Sequence, residues 1–384
     1  MTFNAVKNLL VVLTLLGTRP EVIKLAPVIK ELERKAERIQ SVVCVTGQHR
    51  ELLEQGLQIF RIRPDFDLQV MEPDQLLSNL TSKLLSHLDP VVEDVKPDWI
   101  LAQGDTTTVL VASLVSYYHK IPFGHVEAGL RTGDKFRPFP EESNRLIADH
   151  LADALFAPTE KNRQNLVREG VPNNKVLVTG NTVIDALLTS SSLPYDWTKG
   201  PLADLPQGRK IVLVTAHRRE SFGRPLREIC LAIKELSEQF GSSLVQFVYP
   251  VHLNPNVREP VREILGGLSN VSLIEPLDYL SMVNIMKRST LILTDSGGIQ
   301  EEAPSFGVPV LVMREATERP EAIEAGVARL VGTNRQRIVE ETGRLLRNPT
   351  EYAAMATGRN PFGDGRASSR IVSYLVERAK ADST

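Results

Sequence analysis

Short apolar, β-branched runs, each followed by a longer amphipathic segment, recur along nearly the whole chain, and this alternation limits the possible folds more than any other feature. Runs such as LLVVLTLL at 9–16 have no polar face, so a strand made of one needs cover on both sides. Strands of that kind separated by helices imply right-handed βαβ units and parallel sheets. The sequence predicts strands near 9–16, 41–46, 98–103, 121–126, 153–157 and 175–179. A second series is expected near 210–216, 244–249, 271–274, 290–294, 308–313 and 328–331. Segments 20–37, 74–96, 106–119, 225–240 and 334–347 carry apolar residues at helical spacing. The pattern runs once through each half, without a solenoid-type repeat.

The chain has 384 residues, beyond the roughly 250–300 at which a single core stops growing. The alternation breaks in a stretch rich in Pro, Ser and Gly. The expected organisation is α/β: a doubly wound domain over 1–188, a linker over 189–208, a second doubly wound domain over 209–365, and an amphipathic segment over 366–384. Ligands of such sheets sit outside the C-terminal strand ends. Hydrophobic residues at 42% and charged residues at 24% exclude disorder as the main state. Lys and Arg total 45 against 47 Asp and Glu, a net charge of −2. Bulk charge therefore supports neither a nucleic-acid nor a membrane-surface partner, and any bound anion needs a local cluster. Cys44 and Cys230 lack C-x-x-C spacing, which excludes a disulfide scaffold and a structural zinc site. The run at 9–16 is too short to span a bilayer and leads straight into G-T-R-P, so it reads as a buried strand and not as a signal peptide. A cytoplasmic location is expected.

Chemically useful residues gather just after the strands. Gly17-Thr18-Arg19-Pro20-Glu21, with Lys24 a turn later, offers free amides at a helix start plus two cations, a diphosphate site or simply a cap. Gln103-Gly104-Asp105-Thr106-Thr107-Thr108 follows the third strand, and by itself reads equally well as an N-cap. His125-Val126-Glu127-Ala128-Gly129-Leu130-Arg131 adds a carboxylate at the next strand end, and Pro140-Glu141-Glu142 opens a helix with two more. Acidic residues suit a first helical turn, but three acids at one sheet edge point to proton transfer or to stabilising positive charge. In the second half, His217-Arg218-Arg219 at a strand end favours phosphate contact. Thr294-Asp295-Ser296-Gly297-Gly298 then exposes amides and a hydroxyl at a helix start, with Glu302 a turn in and able to accept ribose hydroxyls. There is no G-x-x-x-x-G-K-[ST], H-E-x-x-H or G-x-S-x-G. Asp65-Phe66-Asp67 matches a metal-binding D-x-D in form, but lies in a Pro-flanked stretch away from any expected strand end, so no metal is assigned.

G-T-R-P-E-x-I-K, T-G-Q-H-R, G-D-T-T-T, H-V-E-A-G-L-R-T, P-E-E-x-N-R, G-N-T-V-I-D-A-L, H-R-R-E-S-F-G, Y-P-V-H-L-N-P, T-D-S-G-G-I-Q-E-E-A-P and T-E-R-P-E-A occur in this order. Over about residues 9 to 375 the chain resembles the non-hydrolysing UDP-N-acetylglucosamine 2-epimerases of bacteria. The resemblance implies a GT-B fold: two Rossmann-like domains with a central cleft, the first carrying the catalytic carboxylates, the second binding UDP, and the C-terminal helix crossing back to the first. It implies a homodimer with no cofactor, neither metal nor nicotinamide, and a product that feeds cell-surface polysaccharide. The implied reaction interconverts UDP-N-acetylglucosamine and UDP-N-acetylmannosamine by losing UDP to give 2-acetamidoglucal, then re-adding it.

The same resemblance makes Asp105, Glu127 and Glu141 the catalytic carboxylates and gives His217 the leaving-group side. Arg19 and Lys24 match positions near the nucleotide sugar, Ser296, Gly297 and Gly298 the diphosphate turn, Glu302 the ribose contact and Arg319 a further ligand contact. Some relatives bind a second nucleotide sugar as an activator. Gln48, His49, Gln75 and His252 are the candidates for such an allosteric site, while Glu51 and Asp74 replace a Gln and an Arg there. Phe362 stands where Tyr is frequent in N-P-[YF]-G-D-G, and Met282 where relatives have a uracil-facing aromatic. A GT-B glycosyltransferase, a hydrolysing epimerase and a nucleotide-sugar sensor are the rival readings.

Overall fold

The computed structural model describes residues 9–47, 50–72 and 75–381. They form two compact units, Met1–Ala186 with Phe362–Thr384, and Leu187–Pro361. The first holds a seven-stranded sheet of β1 (Leu10–Leu16), β2 (Ile39–Val45), β3 (Phe66–Asp67), β4 (Trp99–Gln103), β5 (Phe123–Val126), β6 (Ala154–Ala157) and β7 (Val176–Val178). Their order is β3-β2-β1-β4-β5-β6-β7, with parallel pairing throughout. The second holds β8 (Lys210–Thr215), β9 (Val245–Pro250), β10 (Val271–Ile274), β11 (Leu291–Thr294), β12 (Val310–Val312) and β13 (Ala328–Leu330). These run β10-β9-β8-β11-β12-β13, again all parallel.

Both sheets are buried on both faces, as their unbroken apolar strands require: every residue of β4 and of β11 is buried. One core joins Leu13, Leu15, Leu84, Leu88, Val115 and Phe123; the other joins Val214, Ile229, Ile233, Phe247 and Leu293. In each sheet the strand order reverses, between β1 and β4 and between β8 and β11. Crossover helices leave in opposite directions there, so the loops after those strands face an uncovered edge.

Two features depart from the sequence reading. Phe66–Asp67 is an edge strand paired with Cys44 and Val45, and the Asp65 carboxylate accepts the Val43 N–H at 2.8 Å. Two residues are too few to show a period of two, so nothing in the pattern revealed it. The stretch expected as a linker packs within the second unit: Leu202 and Leu205 are buried, and Tyr195 donates to the Ser281 hydroxyl at 3.1 Å. The boundary between units falls inside the helix Thr182–Ser191. Pro, Ser and Gly signalled the loss of regular structure, which is a different property from the loss of contacts.

The C-terminal helix Ala367–Ala381 belongs to the first unit. Tyr374 packs edge-on against Trp99 and Phe156, at 6.5 and 5.6 Å between ring centres. Asp185 accepts from the Ala367 and Ser368 amides at 3.2 and 2.8 Å and from the Ser368 hydroxyl at 2.6 Å, satisfying donors that a helix start leaves free. Asp185→Ala is expected to destabilise the first unit by about 1–2 kcal/mol. Urea unfolding should register that loss, and hydrogen exchange should show it concentrated in the first turn of this helix.

Candidate active site

The loop after β1 is organised by a carboxylate from the helix it enters. Thr18 precedes the helix Arg19–Glu33, and Glu21 reaches back to accept the Gly17 and Thr18 amides at 2.5 and 2.9 Å. Its other oxygen accepts the Thr106 hydroxyl at 2.5 Å, tying this loop to the one after β4. A Cβ on Gly17 would collide with the hydroxyls of Thr46 and Thr108, so a close approach demands glycine here. Burial pushes the Glu21 carboxyl up to about 7, with Asp105 adding to the rise and the three hydrogen bonds opposing it.

Glu127 follows β5 and is buried, with φ at +69° in a region a side chain seldom occupies. Lys24 Nζ lies 2.6 Å from each carboxylate oxygen. Gln103 also donates to this carboxylate, as does Asn181 at 3.3 Å. Asp105 has a different partner: Arg145 Nε stands 3.0 Å from Oδ2, and Asn144 donates to the Asp105 carbonyl at 2.9 Å. Both partners lie on the helix Glu141–Leu151. Glu142 spends its carboxylate on the Thr132 and Gly133 amides at 2.9 and 3.0 Å, a structural role. Glu141, at the head of the helix, has a buried Oε2 that meets no hydrogen-bond partner among the described residues.

The second unit concentrates cations. Asp295, fully buried after β11, accepts the His217 and Arg218 amides at 2.7 and 2.8 Å and so shapes the loop after β8. His217 stacks on His252 with ring centres 5.6 Å apart. Burial lowers the His217 pKa, and His252 and Arg218 push the same way against Asp295. Ser296 precedes the short helix Gly297–Glu302 without its side chain capping it. A Cβ on Gly297 would lie 3.7 Å from Arg218 Nη2 and from the Arg319 guanidinium. Two guanidinium groups thus flank free amides at a helix start, a setting for an anion. Glu301 holds Arg319, and Tyr279 OH lies 3.4 Å from Glu302 Oε1.

A sequence profile of the family described as UDP-N-acetylglucosamine 2-epimerase matches residues 30–376. The chain belongs to the UDP-N-acetylglucosamine 2-epimerase family. A relative of that name from Salmonella typhimurium is 54% identical over 370 residues, covering 95% of this chain and 98% of its own. A Listeria monocytogenes structure superposes with a TM-score of 0.91 at 43% identity, covering 97% of each chain. The crystal structure of the Neisseria meningitidis UDP-N-acetylglucosamine 2-epimerase bound to UDP-N-acetylglucosamine gives a TM-score of 0.84 at 48% identity, covering 96% of this chain and all of the other. As in this epimerase family, the two Rossmann-like units make a GT-B-like fold.

Set against the family pattern, Lys24 is engaged with Glu127, while Arg19 opens its helix without an ion pair among the described residues. Gln48, His49 and Asp74 lie outside the described residues. Gln75 donates to the Val70 carbonyl at 3.3 Å, and His252 Nδ1 accepts the Asn254 amide at 3.1 Å. Phe362 is buried and uses its carbonyl to accept the Asn181 amide at 2.7 Å. Met282 lies in the first turn of the helix Tyr279–Arg288. Among the described residues no group of three His, Cys, Asp or Glu is placed to hold a metal ion, and no helix is long and apolar enough to cross a membrane. Sequence reasoning gave no role to Glu21, Gln103, Arg145 or Asn181. Glu21 had a readable signal, the T-x-x-E spacing of a capping box; the others become partners only through long-range packing.

Glu21 generates a pH prediction. Between about pH 4.5 and 7 the folded chain keeps a proton on this carboxyl that the unfolded chain has released, so stability falls as pH rises through the window. A rise from 4.5 to about 7 corresponds to on the order of 3 kcal/mol. Glu21→Gln keeps an acceptor for the two amides and cannot titrate. Urea unfolding at pH values below and above the window should show the wild type losing more stability than the variant. Equal pH slopes would assign the effect elsewhere.

Proposed function

We propose that the protein interconverts UDP-N-acetylglucosamine and UDP-N-acetylmannosamine, with no metal or nicotinamide cofactor. The observation that carries this reading is the division of charge between two switch-point edges. Buried or half-buried carboxylates with separate cationic partners gather in the first unit, and paired guanidinium groups flank a helix start in the second. The C2 hydrogen of the sugar is not α to a carbonyl, so direct deprotonation is slow. When the C1–O bond breaks, UDP leaves with the bonding pair and C1 becomes cationic, which acidifies C2–H. A carboxylate takes that proton, and the C2–H pair becomes the C1=C2 bond of 2-acetamidoglucal. Returning a proton to the opposite face of C2 as a UDP oxygen re-adds to C1 gives the epimer.

In this reading Asp105, Glu127 and Glu141 serve the sugar, stabilising positive charge and moving the proton. Ser296, Gly297, Gly298, Arg218 and Arg319 hold the diphosphate, Glu302 the ribose, and His217 stands on the leaving-group side. The lowered pKa of His217 suits a neutral imidazole there. The first unit is then the sugar domain and the second the UDP domain. A homodimer is also part of the proposal. Tyr117 and Tyr118 are 65% and 64% exposed at the end of the helix Thr107–His119, and Ile147 is 43% exposed on the neighbouring helix. Light scattering should return twice the 42.6 kDa chain mass, and Tyr117→Asp with Tyr118→Asp should reduce it to one.

Proton NMR of purified protein with UDP-N-acetylglucosamine in heavy water should show the epimer with deuterium at C2, in the presence of EDTA as in its absence. Product retaining its original C2 hydrogen would sink the glycal route, and free N-acetylmannosamine as the main product would favour a hydrolysing enzyme. Asp105→Asn, Glu127→Gln and Glu141→Gln should each lower turnover on the order of 10²–10⁴-fold with UDP affinity nearly intact. Ser296→Ala and Glu302→Ala should instead weaken UDP binding, measured by calorimetry, because their contacts are present in ground and transition states alike.

A further inference from the structure

His125 lies on β5, two residues before Glu127, with its imidazole wholly buried in the apolar layer beneath the site. The Phe123 ring stacks on it with centres 6.0 Å apart. Both ring nitrogens face acceptors: Nδ1 is 2.6 Å from Asp149 Oδ1, and Nε2 is 2.8 Å from the Gly104 carbonyl oxygen. A carbonyl oxygen can only accept, so Nε2 must carry a proton. The proton on Nδ1 depends on Asp149. That carboxylate also faces the Gly129 amide at 3.2 Å and Arg131 Nη2 at 2.8 Å, both donors, and Arg131 is in turn paired with Glu169 at 2.6 Å. Donors on every side keep Asp149 ionised, which leaves the second proton on the ring. Two cations and two anions then balance within one cluster, the condition under which buried charge is tolerated.

We infer that His125 is a permanently charged positioning residue: an imidazolium clamped between Asp149 and the Gly104 carbonyl that sets the two loops carrying Asp105 and Glu127. Gly104 immediately precedes Asp105, and Asp149, at the other end of the clamp, holds the Gly129 amide two residues past Glu127. One ring therefore fixes both carboxylate loops from below. Burial alone would lower the His125 pKa, but the Asp149 charge and the two hydrogen bonds outweigh it and raise the value. Asp149 moves the opposite way, held down by His125 and Arg131 against its own burial. The functional half of the inference rests on the proposed catalytic roles of Asp105 and Glu127; the charge state does not.

The charge state is tested on the wild-type protein by nitrogen-15 NMR of its histidine side chains, with His125 assigned by its loss in His125→Phe or, if that variant does not fold, in His125→Gln. Both ring nitrogens should be protonated and unchanging from about pH 5 to pH 8, the window in which an ordinary histidine titrates. One unprotonated ring nitrogen in that window would overturn the inference. For the positioning role, His125→Phe should lower kcat on the order of 10²-fold, as a displacement of about 1 Å does, with UDP affinity within about twofold because its contacts lie in the second unit. His125→Gln, which keeps one donor toward Gly104, should recover part of the loss. Undiminished kcat in either variant would remove the positioning role. Wild-type protein without epimerase activity would defeat the proposed function instead, and the NMR result would stand apart from it.

Discussion

Everything in this chain follows from covering parallel sheets on both faces. A strand with helices above and below admits a polar side chain only where buried partners satisfy it, as they do for His125 and Gln103, so most of the chemistry is displaced to the places where the backbone leaves the sheet. Of those places, only the reversals of strand order between β1 and β4 and between β8 and β11 leave an uncovered edge. Gly17, Lys24 and Asp105 follow the first pair of strands, and His217, Arg218 and Ser296 follow the second. Glu127 comes one strand further out, and it is the residue whose backbone must bend into the left-handed region to bring its carboxylate to Lys24.

The two edges are built by the same device with opposite sign. In each, a buried acid accepts backbone amides and so sets the shape of a loop: Glu21 for Gly17 and Thr18, Asp295 for His217 and Arg218. What the loop then presents differs. The first unit presents carboxylates, of which Asp105 and Glu127 are restrained by a cation or amide from another element, and the second presents guanidinium groups and free amides. In the proposed reaction a departing diphosphate would call for cations and amides and a cationic sugar centre for carboxylates, and surroundings fixed before reaction need no reorganisation during it.

Strand positions, the doubly wound class and the loops that carry the candidate site were legible in the sequence because they rest on local signals. Apolar runs of four to eight residues mark buried strands, and Gly-Thr-Arg-Pro or Ser-Gly-Gly after such a run marks a helix start at a strand end. The edge strand Phe66–Asp67 was not legible, since two residues carry no period. Nor was the attachment of 189–208 to the second unit, which depends on where Leu202, Leu205 and Tyr195 find partners. The partners of the carboxylates were hidden for the same reason. Arg145 lies 40 positions from Asp105 and Asn181 lies 54 from Glu127, distances at which only the folded sheet order decides who meets whom.

Glu127 shows how such a site keeps an unfavourable conformation. A non-glycine residue in the left-handed region costs about 1–2 kcal/mol, and it persists only if its surroundings over-determine it. Here they do so from three directions. The amides of Glu127 and Ala128 both donate to the Phe156 carbonyl, at 3.0 and 3.2 Å. The Gly129 amide is held by Asp149 and the Gly129 carbonyl by Asn165 at 3.0 Å, while a Cβ at Gly129 would strike the Asn162 backbone. The side chain is fixed in turn by Lys24, Gln103 and Asn181. A carboxylate restrained at backbone and side chain together has little freedom left to lose when a ligand arrives, so in the proposed reaction the binding energy of the nucleotide would remain available for the step at C1. The strain at one φ angle is the structural counterpart of that preorganisation.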